Sequence, residues 1–206
     1  MTNTQIKNGK PFAPNILILA HGAGKGMDSE FMDHIAEGVG SETVEVIRFE
    51  FPYMQKQREL GKKRPPNGIK ILLQHYKDQI KGCRNANIFI GGKSMGGRIA
   101  SMIADEMKVT GLICLGYPFH PPGRPEKKRT AHLLDLETPT LVLQGERDPF
   151  GKREEVLDYP LSKTITLHWI PDGEHSFKAR KSSGTNQKEN CDRAVIAIKQ
   201  FIQDLS

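Results

Sequence analysis

The chain has 206 residues, 37% hydrophobic and 26% charged, with a formal net charge of +6. That composition is ordinary for one globular domain with a buried core and excludes a disordered or fibrous chain. No apolar run approaches the roughly 18 residues that would span a bilayer.

Residues 1–14, MTNTQIKNGKPFAP, are polar and lack an apolar signal core, so a flexible segment over residues 1–13 and a cytoplasmic location are expected. Asn15–Ala20 (NILILA) is a continuous apolar run ending in His21-Gly22-Ala23-Gly24. Strands are also expected at residues 44–49, 88–90, 111–116, 140–145 and 164–170, several of them apolar throughout, as strands covered on both faces must be. Helical stripes fall between them. They are Phe31/Ile35/Val39, Leu72/Tyr76/Ile80, Met95/Ile99/Met102/Ile103/Met107 and, last, Ala194/Val195/Ile198/Phe201/Ile202. The methionine-rich stripe reads as core packing. Alternating strands and helices imply an α/β fold with a mostly parallel sheet of about six strands and helices on both faces. Residues 51–67 and 117–130, rich in proline, read as constrained loops. Cys83, Cys114 and Cys191 are odd in number and widely spaced, which suggests neither a disulfide framework nor a zinc site.

The stretch Ile88–Arg98, IFIGGKSMGGR, contains Gly-Lys-Ser. A phosphate-binding loop needs a glycine five residues before Gly92, and Asn87 stands there. The other frame is Gly92-x-Ser94-x-Gly96, between an apolar strand and an amphipathic helix, which is the context of a nucleophile elbow. The blander reading is a glycine-rich turn in which Ser94 caps a helix.

A serine hydroxyl needs a base, and the base needs an orienting acid. The order serine, acid, histidine is met by Asp148 in Gly145-Glu146-Arg147-Asp148-Pro149 and His175 in Asp172-Gly173-Glu174-His175, each just past a strand. Asp148 could instead cap a helix starting at Pro149, and Glu146, Asp172 and Glu174 are rival acids. His34, His75, His132 and His168 fall within elements and read as structural or solvated. His21 precedes the nucleophile and reads as a brace. Backbone amides of Met95 and Ala23, with Gly24 second, are the expected oxyanion donors. The pocket is expected to take its shape from residues 53–66 and 117–132, with Tyr53, Arg64 and His120 as substrate contacts.

The motifs LAHGAG, RFEFPYM, GKKRPP, GGKSMGGRIAS, GYPFHPPG, LQGERDPFG and PDGEHSF run in the order seen in a small α/β-hydrolase-like family. The chain resembles, from about residue 14 to 202, the grouping of testis-expressed protein thirty with subunit three of the human NSL chromatin complex. The elbow is shared with dienelactone-hydrolase-like enzymes. The resemblance implies a compact α/β-hydrolase core without a large lid domain, with Ser94, Asp148 and His175 as nucleophile, acid and base. It leaves room for a protein partner, because the grouping includes a component of an assembly. On this reading the N-terminal antiparallel strands usual in the fold are missing.

Three basic clusters follow strand ends: Lys56/Arg58/Lys62/Lys63/Arg64, Arg124/Lys127/Lys128/Arg129 and Lys178/Arg180/Lys181. They are expected to frame the site and favour anionic substrates. No helix-turn-helix, zinc or aromatic RNA motif supports nucleic-acid binding. The expected activity is cleavage of a small ester, thioester or related acyl compound without metal or organic cofactor. The alternative is a non-catalytic interaction module on the same scaffold.

Overall fold

The computed structural model describes residues 5–84 and 86–206. Six of its strands are parallel: β2 (Asn15–Ala20), β3 (Val44–Phe49), β4 (Asn87–Lys93), β5 (Gly111–Leu115), β6 (Thr140–Gly145) and β7 (Ile165–Ile170). A further strand, β1 (Gln5–Asn8), pairs antiparallel with β3, and the sheet order is β1-β3-β2-β4-β5-β6-β7. One antiparallel N-terminal strand is therefore present where none was expected, and residues 5–8 are not a loose segment. The sequence hides it because QIKN is polar, short and at an edge, where only one flank needs pairing. The expectation for residues 1–4 lies outside the described residues.

The chain runs from β2 out to β3 and then back across to β4, so the sheet changes direction between β2 and β4. Crevices at such switch points, outside the carboxyl ends of the strands, are where ligands collect in open α/β sheets. His21 follows β2 and Ser94 follows β4, which puts both at that crevice.

All six residues of β2 are buried because alternate side chains serve two cores. Ile16, Ile18 and Ala20 pack with the helices α2 (Pro52–Leu60), α3 (Ile69–Lys81) and α4 (Met95–Ser101). Leu17 and Leu19 face α1 (Glu30–Val39) on the other side. Beyond α4 come two single turns, α5 (Ala104–Met107) and α6 (Arg153–Val156), and then α7 (Gln187–Asp204), which packs beside α1 through Ala194, Val195 and Ile198. Among the described residues no helix is long and apolar enough to cross a membrane.

Two expectations need correction. Residues 52–60 are helical: Pro52 sits in the first turn, where its missing N–H costs nothing, and Gly61 closes the helix in the left-handed region at φ 63°. The punctuation that suggested a loop marks a helix's two ends. The methionine stripe is broken by a turn between α4 and α5, so Ile99 and Ile103 are buried while Met102 is exposed. Residues 117–130 do form a loop, anchored by buried Tyr117, Phe119 and His120.

Tyr76 of α3 joins the strands that flank the switch point. Its hydroxyl lies 2.7 Å from the carbonyl oxygens of Ile18 and Gly91 and accepts the Gly91 N–H at 2.9 Å. Tyr76→Phe removes these contacts from a buried site and should cost about 1–3 kcal/mol. Denaturant titration reads the loss; an unchanged midpoint would show the hydroxyl to be dispensable.

Candidate active site

Ser94 links β4 to α4 at φ 52° and ψ −112°, a strained conformation for a residue with a side chain. The bend is held by Ser94 N–H donating to Leu115 O (3.0 Å) and Arg98 N–H donating to Ser94 O (3.0 Å). Its tightness rests on glycine at both flanks. A Cβ on Gly92 would lie 2.3 Å from the Ala20 carbonyl oxygen, and one on Gly96 would lie 2.4 Å from the same atom. Ser94 stands at the helix cap position, yet its side chain makes no capping hydrogen bond. The hydroxyl instead lies 2.8 Å from His175 Nε2.

His175 Nδ1 is 2.8 Å from Asp148 Oδ2. Asp148 is fully buried just past β6. Its Oδ2 also accepts from Gln144 Nε2 (2.9 Å), and its Oδ1 accepts the Phe150 N–H (2.9 Å). No helix starts at Pro149; α6 begins only at Arg153. Asp148 thus closes its own turn with one oxygen and faces the imidazole with the other. The Phe150 ring stacks on the imidazole, with centroids 4.2 Å apart and planes 30° apart. The structure brings Ser94, His175 and Asp148 into one hydrogen-bonded line.

The rival carboxylates are committed elsewhere. Glu174 Oε1 accepts the N–H groups of Ser176 and Lys178, and Glu146 pairs with Arg153 and accepts the Asp172 N–H. The Arg180 guanidinium and amide hold the Asp172 carboxyl down at about 2.

The loop after β2 closes the other side. His21 Nδ1 lies 2.6 Å from Gly22 O, while its Nε2 accepts the Phe51 N–H at 3.1 Å. A ring that accepts at Nε2 must carry its proton at Nδ1, so His21 is a neutral brace. Tyr53 donates its hydroxyl toward Gly22 O (3.2 Å) and Ala23 O (3.1 Å). In a trans peptide the N–H points opposite the C=O, so the amides of Ala23 and Gly24 face away from Tyr53. Farther along, Glu50 accepts from Met27 N–H and Arg58, and Arg58 also pairs with Asp28. Met95 opens α4, where the first amides have no intrahelical acceptor.

Gly22, Ala23, Ser94 and His175 line one cavity of about 670 Å³, which extends between the starts of α1 and α7 along Phe31 and Cys191. The three expected substrate contacts do not line it. Tyr53 is buried behind the loop it braces, His120 is buried against Pro121 O and Glu155, and Arg64 is exposed on the loop after α2. The basic clusters also miss it: Arg58 and Arg180 are spent on carboxylates, and Lys128 lies over the Tyr159 ring at 4.7 Å. Lys62, Lys63 and Arg58 line an adjoining groove that shares Lys25, Ser29 and Glu30 with the cavity. The loops were placed at the mouth because they follow strand ends, but the sequence does not show which way a loop folds back. Phe150 and Lys93 line the cavity without a signal in the sequence, although Lys93 sits inside the elbow motif, and His34, expected to be structural or solvated, lines it too.

Fold and site together define an α/β hydrolase. The chain belongs to the family described as the alpha/beta hydrolase domain, which matches residues 13–203. Among solved structures it is similar to Est1E from Butyrivibrio proteoclasticus, solved with ferulic acid bound (14% identity, 98% of this chain and 94% of that one, TM-score 0.72). It is also similar to a dienelactone hydrolase from Anabaena variabilis (19%, 98% and 91%, 0.72). XC6422 from Xanthomonas campestris, an α/β serine hydrolase without a lid, matches at 17% identity over 97% of this chain and 88% of that one, TM-score 0.65. At these identities the likeness is one of fold, a compact α/β-hydrolase core without a lid.

Burial lowers the pKa of His21 below its ordinary 6.5, the Gly22 contact opposing it only in part. The unfolded chain therefore takes up a proton that the folded site refuses. Stability from this group is complete above pH 6.5 and falls as the pH drops below it. His75, His132 and His168, also depressed mainly by burial, add in the same direction. Unfolding free energy measured by denaturant titration should decline from pH 7 to pH 5, and His21→Gln should flatten that decline. An identical slope in the variant would mean that His21 is not held neutral.

Proposed function

We propose that the protein is a serine hydrolase that cleaves a small ester, thioester or related acyl compound through an acyl-enzyme. The observation that carries this reading is the unbroken line from the Ser94 hydroxyl through His175 to Asp148, 2.8 Å at each step. Ser94 Oγ attacks the acyl carbon while its proton passes to His175 Nε2. Asp148 keeps the imidazole proton on Nδ1 and stabilises the imidazolium that results. Collapse of the tetrahedral intermediate expels the alcohol or thiol, which takes the proton from Nε2. Water then attacks the acyl-enzyme, giving its proton to His175, and the acid leaves as Ser94 recovers a proton.

The oxyanion falls to the Met95 amide, with Ala23 or Gly24 as the second donor. The orientation imposed by His21 and Tyr53 supports that second donor. The esterase and dienelactone hydrolase named among the similar structures fit the same reaction class. The narrower grouping with testis-expressed protein thirty belongs to this proposal, as does a cytoplasmic setting.

A fluorophosphonate probe should label the protein at Ser94, and Ser94→Ala should abolish the label. Asp148→Asn should lower ester turnover by on the order of 10⁴ while the circular dichroism spectrum is kept. Folded protein that neither takes the probe nor hydrolyses any of a panel of esters would be a non-catalytic interaction module.

A further inference from the structure

Lys93 precedes the serine, and its side chain belongs to the face of the sheet covered by α1 and α7. The residue lines the cavity yet is only 9% exposed. An ammonium carries three N–H donors, and among the described residues this one has a single acceptor, the His175 carbonyl oxygen at 2.6 Å. Its nitrogen stands 5.6 Å from the centre of the Phe31 ring. No carboxylate lies within ion-pair distance of it among the described residues. Asp148 and Glu174 act on it only through space, and both Asp148 oxygens and Glu174 Oε1 accept the bonds described above.

A buried cation without a counter-ion is costly, and here desolvation pulls the amine down to about 8. An anion entering the cavity would relieve that cost and occupy the free donors. The Phe31 ring lies beside Lys93, and Met32, Phe150 and Cys191 line the same cavity, together with the polar Ser29, His34, Ser176 and Gln187. One buried cation matches one negative charge and leaves a dianionic phosphate under-compensated. The exposed mouth carries both signs, Lys25 and Lys188 against Glu30, with Lys188 already paired to Asp192, which also holds His34.

We propose that Lys93 is a specificity-determining residue that binds a carboxylate on the substrate, so that the cavity accepts a small acyl compound bearing one negative charge beside the bond presented to Ser94. The turnover half of this inference rests on the hydrolase reading; the binding half does not.

The test compares monomethyl succinate, glutarate and adipate with methyl butanoate, pentanoate and hexanoate as substrates of wild type and Lys93→Met. Wild type should favour the charged series, and Lys93→Met should reduce that preference in kcat/KM by on the order of tenfold to a hundredfold. Equal rates for both series in wild type overturn the proposal. So does an equal fall for both in Lys93→Met, which would make the lysine merely a strut for the His175 turn. Binding is read separately in Ser94→Ala, which keeps Lys93. There glutarate monoester should bind, shift the Lys93 side-chain NMR signals, and be displaced by pentanoate but not by pentanamide. Charged ligand bound in a wild type that turns over nothing would sink the hydrolase reading and leave the carboxylate site standing. No discrimination between charged and neutral ligands in Ser94→Ala would remove the site itself.

Discussion

The site depends on one close approach: the backbone of β2 against the bend that carries Ser94. The Ala20 carbonyl oxygen sits where a side chain at either residue 92 or residue 96 would have to go. Two glycines let the strand end and the helix start come together, and that contact lifts the serine to the crevice. The residues immediately after Ala20 then become the facing wall. The strain at Ser94 is retained because the sheet, α4 and this carbonyl over-determine it.

Polar side chains behind that contact make it rigid. Gln144 receives the Tyr117 N–H at 2.7 Å and donates to Asp148, tying the loop after β5 to the loop after β6. His21 ties the end of β2 to the start of α2. Glu50 is buried, and its charge is met by Arg58, which reaches back to Asp28. Breaking one half of such a pair leaves an uncompensated buried charge, so the network holds a single arrangement more than it adds net stability.

The sheet was legible because buried parallel strands show up as unbroken apolar runs, and every expected run became a strand. Ser94, Asp148 and His175 could be placed together because each follows the carboxyl end of such a strand. What escaped was set by tertiary contact. The strand QIKN carries no apolar signal, and Pro52 and Gly61 can bound either a loop or a helix. The basic clusters follow strand ends, which points them to the site, while the fold pairs Arg58 and Arg180 with acids and sends His120 inward. Nothing in the string GGKS says that its lysine is sealed inside.

Neighbouring residues at the end of β2 do unrelated jobs: Ala20 sets a distance, His21 clamps, and Ala23 and Gly24 turn their amides away from Tyr53. Side chains alternate along a strand, so adding or removing one residue within Asn15–Ala20 would swap the faces of the strand and displace the loop residues that follow it. The walls contributed by α1 and α7 carry no such phase requirement. Divergence can therefore reshape what enters the recess by redecorating two helices, while the machinery at the strand tips must be inherited whole.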